Sequence, residues 1–176
     1  MDIRRATVAD VEAVAALHVD SWRRNYRDAY SDEFLDGDVE ADRRGVWTER
    51  LAQPDPGEYT IVASLDGVVV AFIHVIFDDD STWGSLIDNL HVAHDLKGNG
   101  IGTTLMAAAA EILTARRSAN GVYLWVLEQN STAQAFYTAR GGTFVGHEVF
   151  VPRGGAGTAV KLRCIWPDVA QLVPLD

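Results

Sequence analysis

The apolar residues in the first third of the chain recur at helical spacing. Val11, Val14, Ala15, His18, Trp22 and Tyr26 follow one another at intervals of one to four residues, which predicts a single face of an amphipathic helix. Thr7 stands three residues before Asp10, the spacing of a capping box at a helix start. We expect a strand at 3–5 before this helix and a second helix at 42–51. The acidic segment 31–40, broken by Gly37, is a loop or a short helix.

The middle of the chain changes to strand patterns. Segments 59–65 and 68–77 are rich in β-branched residues, and Asp66-Gly67 between them is a hairpin-turn signal. Asp78, Asp79 and Asp80 are expected to form the next turn, before a strand at 85–92. Further strands are predicted at 122–127, 144–151 and 159–165, the last two as a hairpin around the loop 152–158.

Two more helices complete the predicted elements. A glycine-rich turn after residue 97 leads into a helix with Leu105, Ala109 and Ile112 on one face. A helix at 131–140 has Ser131 and Gln134 as a possible capping box, and Gly141 and Gly142 stop it. Antiparallel hairpins followed by a strand–helix–strand–helix unit predict an α/β fold with a mixed sheet. No linker divides the chain, so residues 1–176 are expected to form one domain.

Composition narrows the class of partner. Acidic residues outnumber basic ones by 25 to 15, for a formal net charge of −10. This excess argues against nucleic acid and anionic membranes as partners, because phosphates need a basic face. It agrees weakly with a cationic substrate. There is one cysteine, Cys164, and no apolar segment typical of a signal peptide or a bilayer span, so we expect a soluble cytoplasmic protein.

The strongest chemical signal is the turn from Lys97 to Gly102. A strand that ends in glycines before a helix directs several backbone N–H groups at one point, and the helix dipole adds roughly half a positive charge there. Such a turn favours phosphate. A Walker-type loop would need Lys-Ser or Lys-Thr after its last glycine, and a Rossmann turn would need G-x-G-x-x-G near the first strand. Neither pattern is present. The simplest alternative is a plain tight turn.

The chain resembles the GNAT superfamily of acetyl-CoA-dependent N-acetyltransferases. The turn is similar to the family's Arg/Gln-x-x-Gly-x-Gly/Ala motif, with Lys97 in place of the usual Arg or Gln. A second segment, with Asn130, Ala133, Phe136-Tyr137 and Gly141, is similar to another family motif and follows in the same order. Ser21-Trp22 and Tyr26 resemble a subgroup of bacterial members. The resemblance implies a mixed, mostly antiparallel sheet with splayed central parallel strands and about four helices.

The resemblance also implies where acetyl-CoA binds. Main-chain groups of Leu90, His91 and Val92 would pair with the pantetheine arm, and one N–H of this strand could stabilise the oxyanion. The pyrophosphate would lie on the turn, and further contacts would come from the later helix. The expected cofactor-binding residues are Leu90, His91, Val92, Lys97, Gly98, Asn99, Gly100, Ile101, Gly102, Thr103, Asn130, Ala133 and Phe136.

Two catalytic roles follow from the same resemblance. Tyr137 matches the tyrosine that protonates the departing thiolate, although it could simply pack its helix on the sheet. Family members often place the base at one of two strand positions, here 86 and 88. Leu86 cannot accept a proton, so Asp88 is the expected base, provided that no bulge changes the alternation. A structural Asp88, held by backbone N–H groups or a nearby arginine, and proton removal by water are the alternatives.

The acceptor and the remaining chemistry are less constrained. Trp22, Tyr26 and Tyr30 could line an acceptor pocket, although a core-facing stripe explains Trp22 equally well. His91 and His94 have no third ligand nearby, so no metal site is expected, and His18 and Cys164 are expected to pack in the core. The predicted function is acetyl transfer to a primary amine of a small molecule or protein N-terminus in a ternary complex. The resemblance is compatible with a homodimer. A non-catalytic acyl-CoA sensor and a nucleotide-binding enzyme are the alternatives.

Overall fold

The computed structural model describes residues 1–27, 29–118, 120–152, 154 and 157–173. Within these residues the chain forms seven strands and five α-helices. The strands are β1 (Asp2–Arg5), β2 (Glu58–Leu65), β3 (Val68–Asp80), β4 (Gly84–Val92), β5 (Val122–Leu127), β6 (Thr143–Phe150) and β7 (Ala159–Trp166). The helices are α1 (Val11–Asn25), α2 (Asp32–Asp36), α3 (Val39–Ala52), α4 (Ile101–Arg116) and α5 (Ser131–Thr138). None of the helices in these ranges is both long and apolar enough to cross a membrane.

The described strands form one sheet in the order β1-β2-β3-β4-β5-β7-β6. Every neighbouring pair is antiparallel except β4 and β5, which confirms the predicted mixed, mostly antiparallel sheet. The parallel pair is short: only Ser85 and Leu86 of β4 pair with Val122 and Tyr123 of β5. Beyond these residues the two strands no longer pair with each other, although β4 still pairs with β3 and β5 with β7. The sheet therefore opens into a cleft at its centre, as the resemblance implied.

Helices cover both faces of the sheet. In β3, Ile73 packs with Leu105 of α4, whereas its neighbour Phe72 packs with Val14 of α1 and Trp47 of α3. All five side chains are fully buried. Successive side chains of a strand point to opposite faces, so the continuous apolar run of β3 is explained by burial on both sides. The two helical layers hold the central strands rigidly and thereby position the walls of the cleft.

The predicted turn at Asp78, Asp79 and Asp80 is wrong, because these residues still belong to β3. Asp78 adopts a positive φ of 49°, and the register with β4 shifts between Ile76 and Asp80. The irregularity absorbs the extra residues and lets the strand continue. The turn follows at residues 81–83. There, Asp80 Oδ1 accepts hydrogen bonds from the backbone N–H groups of Thr82 (2.7 Å) and Trp83 (2.9 Å).

Helices α3 and α5 have boundaries that differ from the predicted ones. Segment 31–40 contains the short helix α2 and the first turn of α3, which starts three residues before the predicted 42. Helix α5 ends at Thr138, and its N-cap is Asn130 rather than a capping box of Ser131 and Gln134. Gln134 instead donates to the backbone oxygens of Leu127 and Glu128. The hairpin turn at Asp66-Gly67 and the capping box of Thr7 and Asp10 are confirmed. Of the predicted loop 152–158, residues 153, 155 and 156 lie outside the described residues.

Candidate active site

The opening between β4 and β5 is a cleft of about 860 Å³. One wall comes from β4 and the first turn of α4, and the other comes from β5 and α5. Side chains of α1 and α3 close one end, near Trp22 and Arg43. The cleft thus brings together the two sequence motifs and the first helix, which are far apart along the chain.

The glycine turn lies at the C-terminal end of β4, as predicted. Gly98 and Gly100 have positive φ angles of 86° and 79°, which residues with a side chain rarely adopt. Gly100 is the N-cap of α4, so the first N–H groups of this helix have no partner within it. A Cβ on Gly100 would meet nothing within 4 Å, which means that the space above the turn is open to a ligand. The turn has the geometry of an anion site.

Gly102 meets a different requirement. A Cβ at this position would lie 3.1 Å from Cζ of Phe136 and 3.7 Å from Cγ2 of Val92. The absence of a side chain therefore lets α4, α5 and β4 approach one another closely. Gly102, the third glycine of the turn, thus allows the two walls of the cleft to pack against each other.

Arg140 is a site residue that sequence reasoning missed. Its guanidinium donates to Thr103 Oγ1 at the start of α4 (2.8 Å from Nε) and to the backbone oxygen of Phe136 (3.0 Å). It also lies 3.7 Å above the Phe136 ring, and burial lowers its pKa from the usual value. Its signal in the sequence was weak, because Arg140 stands at a position that the second motif leaves unspecified, and only the fold brings it to the turn.

All but one of the expected cofactor-binding residues line the cleft. The exception is Asn99, which is exposed and donates from Nδ2 to the backbone oxygen of Leu96. Asn130 lines the cleft and also caps α5, since its Oδ1 accepts from the backbone N–H of Ala133 at 3.2 Å. The cap leaves the amide nitrogen of Asn130 for other contacts.

Tyr137 lies in the wall formed by α5 and is 9% exposed. Burial raises the pKa of its phenol above the usual value, and the nearby Tyr26 and Cys164 raise it further. The ring also packs edge-on against Trp166, at 6.0 Å between centroids. Tyr137 thus has both of the properties considered from the sequence: it packs its helix on the sheet, and it presents a protonated phenol to the cleft.

Asp88 lines the cleft, but it lies in a β-bulge, whereas its prediction as the base assumed regular alternation along the strand. His74 of β3 pairs with Asn89 and the next residue, Val75, pairs with Ile87, so Asp88 is the extra residue of a β-bulge in β4. The alternation between positions 86 and 88 is therefore interrupted. Leu86 is absent from the described lining of the cleft, whereas Asp88 is part of it.

The carboxylate of Asp88 has protein partners. Arg50 Nη1 of α3 lies 2.8 Å from Asp88 Oδ2, and Asn89 Nδ2 donates to the same oxygen at 2.5 Å. A neighbouring arginine was the structural alternative considered for this residue, and the structure contains that contact. Both donors bind Oδ2, so the two contacts orient the carboxylate and leave Oδ1 outside them.

Aromatic side chains form the end of the cleft that is closed by α1. Trp22 stacks on Tyr26 with 5.3 Å between ring centroids, and Tyr30 lies 4.8 Å from Trp22. All three are partly buried and line the cleft. Trp22 lies on α1, whereas Tyr26 and Tyr30 follow the end of this helix, so the three belong to the site as well as to the packing without sharing one helical face. Burial raises the pKa of Tyr26 above its usual value.

Two histidines belong to the same end of the cleft. His18 is 2% exposed and accepts at Nδ1 from Trp47 Nε1 (3.0 Å), so it packs in the core as expected, but it also lines the cleft. His91 Nδ1 lies 2.8 Å from Ser21 Oγ. Burial lowers the pKa of both rings, that of His91 to about 3, and both are therefore neutral at pH 7. Among the described residues no group of three or more His, Cys, Asp or Glu side chains is placed to hold a metal ion.

Comparison with known proteins decides the family. Residues 13–142 match the model of the acetyltransferase (GNAT) family. The chain belongs to the GNAT family of acetyltransferases. It is 25% identical over 179 residues to YuaI, an uncharacterized N-acetyltransferase of Bacillus subtilis (strain 168), with 98% of this chain and 96% of the relative covered. An uncharacterized N-acetyltransferase of Archaeoglobus fulgidus is 28% identical, with 80% and 91% covered.

A solved structure shows the same fold. The PaiA N-acetyltransferase from Thermoplasma acidophilum, in complex with coenzyme A, superimposes with a TM-score of 0.71 at 19% identity. The match covers 94% of this chain and 98% of that one. The family assignment confirms the predicted enzyme class, an acyltransferase, and acetyl-CoA as its cosubstrate.

Proposed function

We propose that the protein transfers the acetyl group of acetyl-CoA directly to a primary amine of a small molecule or a protein N-terminus, with both substrates bound at once. The observation that carries this proposal is the continuous cleft, which has an anion-binding turn at one end and an aromatic end with Asp88 at the other. Two substrates can enter such a cleft from opposite ends and meet between β4 and β5.

Acetyl-CoA occupies the half of the cleft formed by the two motifs. The pyrophosphate binds the N–H groups of Gly98–Gly102 with Lys97 and Thr103 beside it, and Arg140 adds a positive charge. The pantetheine arm extends along Leu90, His91 and Val92 as an added strand, since β4 pairs there with β3 but no longer with β5. Asn130, Ala133 and Phe136 contact the arm from α5, and Asn99 is left out of this set.

The reaction needs one proton acceptor and one proton donor. The amine nitrogen attacks the thioester carbonyl carbon, the C–S bond breaks, and the phenol of Tyr137 gives its proton to the departing sulfur. A thiol with a pKa of about 8.5 is protonated at neutral pH, so the sulfur leaves as the neutral thiol and Tyr137 regains its proton from solvent after the transfer. Asp88 receives the proton of the attacking amine, directly or through a water. A backbone N–H of the bulged β4 stabilises the oxyanion. Trp22, Tyr26 and Tyr30 hold the acceptor.

The test is acetyl transfer to a panel of amines, followed by thiol release and by mass detection of the N-acetylated product. We expect thiol release that depends on an amine and a product heavier by one acetyl group. A reaction without amine measures hydrolysis and serves as the control. Acetyl-CoA binding with no acetylated product from any amine, peptide N-termini included, would contradict the proposal and favour a sensor.

A further inference from the structure

The charges that line the cleft are opposite in sign to those of the chain as a whole. The protein has 25 acidic and 15 basic residues. Among the described residues that line the cleft, five are basic and one, Asp88, is acidic. The basic residues are Arg43, Arg50, Lys97, Arg140 and Lys161. A cationic acceptor, which the acidic composition weakly favoured, would therefore meet mostly positive side chains.

Coenzyme A explains only part of this charge. Lys97 and Arg140 lie at the glycine turn, where the pyrophosphate binds. Arg50 is paired with Asp88 at 2.8 Å, and Lys161 Nζ lies 3.3 Å from Glu148 Oε1. Arg43 lies on the α3 side of the cleft, away from the turn. Its carboxylate contact is with Asp42, its neighbour on α3, which does not line the cleft.

The Arg43 guanidinium is held in a fixed position. Its Cζ lies 4.4 Å from the centroid of the Trp22 ring, and its side chain is 13% exposed. Nε donates to Asp42 Oδ2 at 2.8 Å, and Nη2 contacts the same oxygen. One edge of the guanidinium is thus bound to its neighbour on α3, and the two N–H groups of Nη1 lie outside this contact. A stacked, immobilised guanidinium is well suited to bind a carboxylate.

Apart from Asp42, the groups around Arg43 in the cleft are polar and uncharged. The rings of His18 and His91 lie 4.7 Å apart between centroids, with their planes tilted by 31°. Arg43 contributes to lowering the pKa of each, after burial and another neighbour. Ser21 contacts His91 at 2.8 Å. These side chains can donate or accept hydrogen bonds without adding a negative charge. Nη1 of Arg43 can therefore bind a carboxylate of the acceptor, whereas a second ammonium group would find no carboxylate among the described lining residues other than Asp88.

We propose that the acceptor is a primary amine that also carries a carboxylate, and that Arg43 binds this carboxylate while the amine lies near Asp88. The proposal rests on the acetyl transfer proposed above and specifies its acceptor class. Arg43 and Arg50, the partner of Asp88, are seven residues apart on α3, which is roughly 10 Å of helical rise. The carboxylate of the acceptor would therefore lie beside Arg43, and its amine beside the Asp88–Arg50 pair, about two turns further along α3.

The experiment uses acceptors in matched pairs that differ only in the carboxylate. Each amino acid is paired with its decarboxylated amine, and each ω-amino acid is paired with the corresponding alkylamine; polyamines complete the panel. We expect kcat/KM for the better acceptors to be roughly 10–100-fold higher with the carboxylate, the usual range for a hydrogen bond to a charged group. Arg43→Gln should reduce this ratio to near one, and Arg43→Lys should retain part of it. Binding of acetyl-CoA to Arg43→Gln should be unchanged.

Arg44→Gln is the matched control. Arg44 is the next residue on α3, its side chain is 59% exposed, and it pairs with Glu12 at 2.9 Å. This variant removes the same charge but should keep the wild-type preference for carboxylated acceptors.

Equal kcat/KM within the pairs, or polyamines as the best acceptors, would overturn the inference and leave acetyl transfer intact. Loss of acetyl-CoA binding in Arg43→Gln, with the acceptor preference unchanged, would assign Arg43 to a coenzyme phosphate instead. No acetylated product from any amine would contradict the proposed function itself.

Discussion

At the scale of single residues, Tyr137 is the clearest test of the chemistry. Its phenol is buried in the cleft wall, and burial raises its pKa, so it stays protonated at neutral pH and can serve as an acid. Tyr137→Phe should lower kcat by roughly 10²–10⁴, the usual contribution of a general acid. Acetyl-CoA affinity, measured by calorimetry, should change little because one hydroxyl is removed. A near-normal kcat in a well-folded variant would mean that Tyr137 only packs α5.

Asp88 is the second prediction at this scale. An alkyl amine has a pKa of about 10.4, so a proton must be removed before it attacks. With a known acceptor, Asp88→Asn should lower kcat/KM near neutral pH and shift the rate profile toward alkaline pH. Because Arg50 loses its charged partner in this variant, thermal unfolding must be measured alongside. A folded variant with the wild-type rate and pH profile would assign Asp88 to the ion pair with Arg50 alone and leave the proton to water.

At the scale of elements, the glycine turn before α4 can be tested as the phosphate site independently of the stability of the fold. Gly100→Val should abolish acetyl-CoA binding in calorimetry, because the new side chain enters the open space above the turn. Gly67→Val is a matched control: Gly67 has a φ of 80°, close to the 79° of Gly100, also has nothing within 4 Å of an added Cβ, and lies in the hairpin between β2 and β3. Both variants carry the same backbone strain.

The control separates loss of the site from loss of stability. Gly67→Val should be destabilised by an amount similar to Gly100→Val yet bind acetyl-CoA normally. If both variants lost binding equally, strain would be the cause; if neither did, the turn would not be the phosphate site. The circular dichroism spectra of both should remain native.

The boundaries of the elements show which parts of the secondary structure the sequence pattern predicted correctly. The ends of the central strands were predicted within three residues, and those of β5 without error, because β-branched runs between turn signals are strong local evidence. The turn at Asp78, Asp79 and Asp80 failed because a bulge with a positive φ can carry a strand through residues that usually break it. The predicted N-cap of α5 was wrong by one residue, because Asn130 and Ser131 are both residue types that favour the N-cap position.

At the scale of the whole molecule, two buried histidines predict the response to acid. His18 and His74 are 2% and 1% exposed, and burial lowers the pKa of both, that of His74 to about 3. The folded protein keeps them neutral, whereas the unfolded chain protonates them below about pH 6.5. Stability should therefore fall as the pH decreases from 6.5 toward 3. By pH 5 the loss should be about 2 kcal/mol for His74, at 1.36 kcal/mol per pH unit, and His18 and His91 should add losses of the same sign.

Urea unfolding at pH 7.5 and pH 5 measures this effect. His74→Gln should lose part of the pH dependence, whatever its stability at pH 7.5. His147→Gln, a change at an exposed position of β6, should keep the wild-type dependence. A second loss belongs to Asp10, whose pKa is lowered to about 2 mainly by its hydrogen bond to Arg4; its contribution disappears only below about pH 4. An unfolding free energy that stays constant from pH 7.5 to 5 would contradict the assignment to the histidines.

The sequence alone determined the order of the elements, the family and the two motifs of the cofactor half of the cleft. These features depend on local pattern: a glycine that permits a positive φ and a capped helix are encoded by neighbouring residues. The tertiary structure decided which residues meet across the cleft. Arg140 reaches the turn, Arg50 reaches Asp88, and Arg43 stacks on Trp22 only because α5 and α3 pack beside strands distant in sequence. Such contacts depend on packing between elements, and no local pattern along the chain records them.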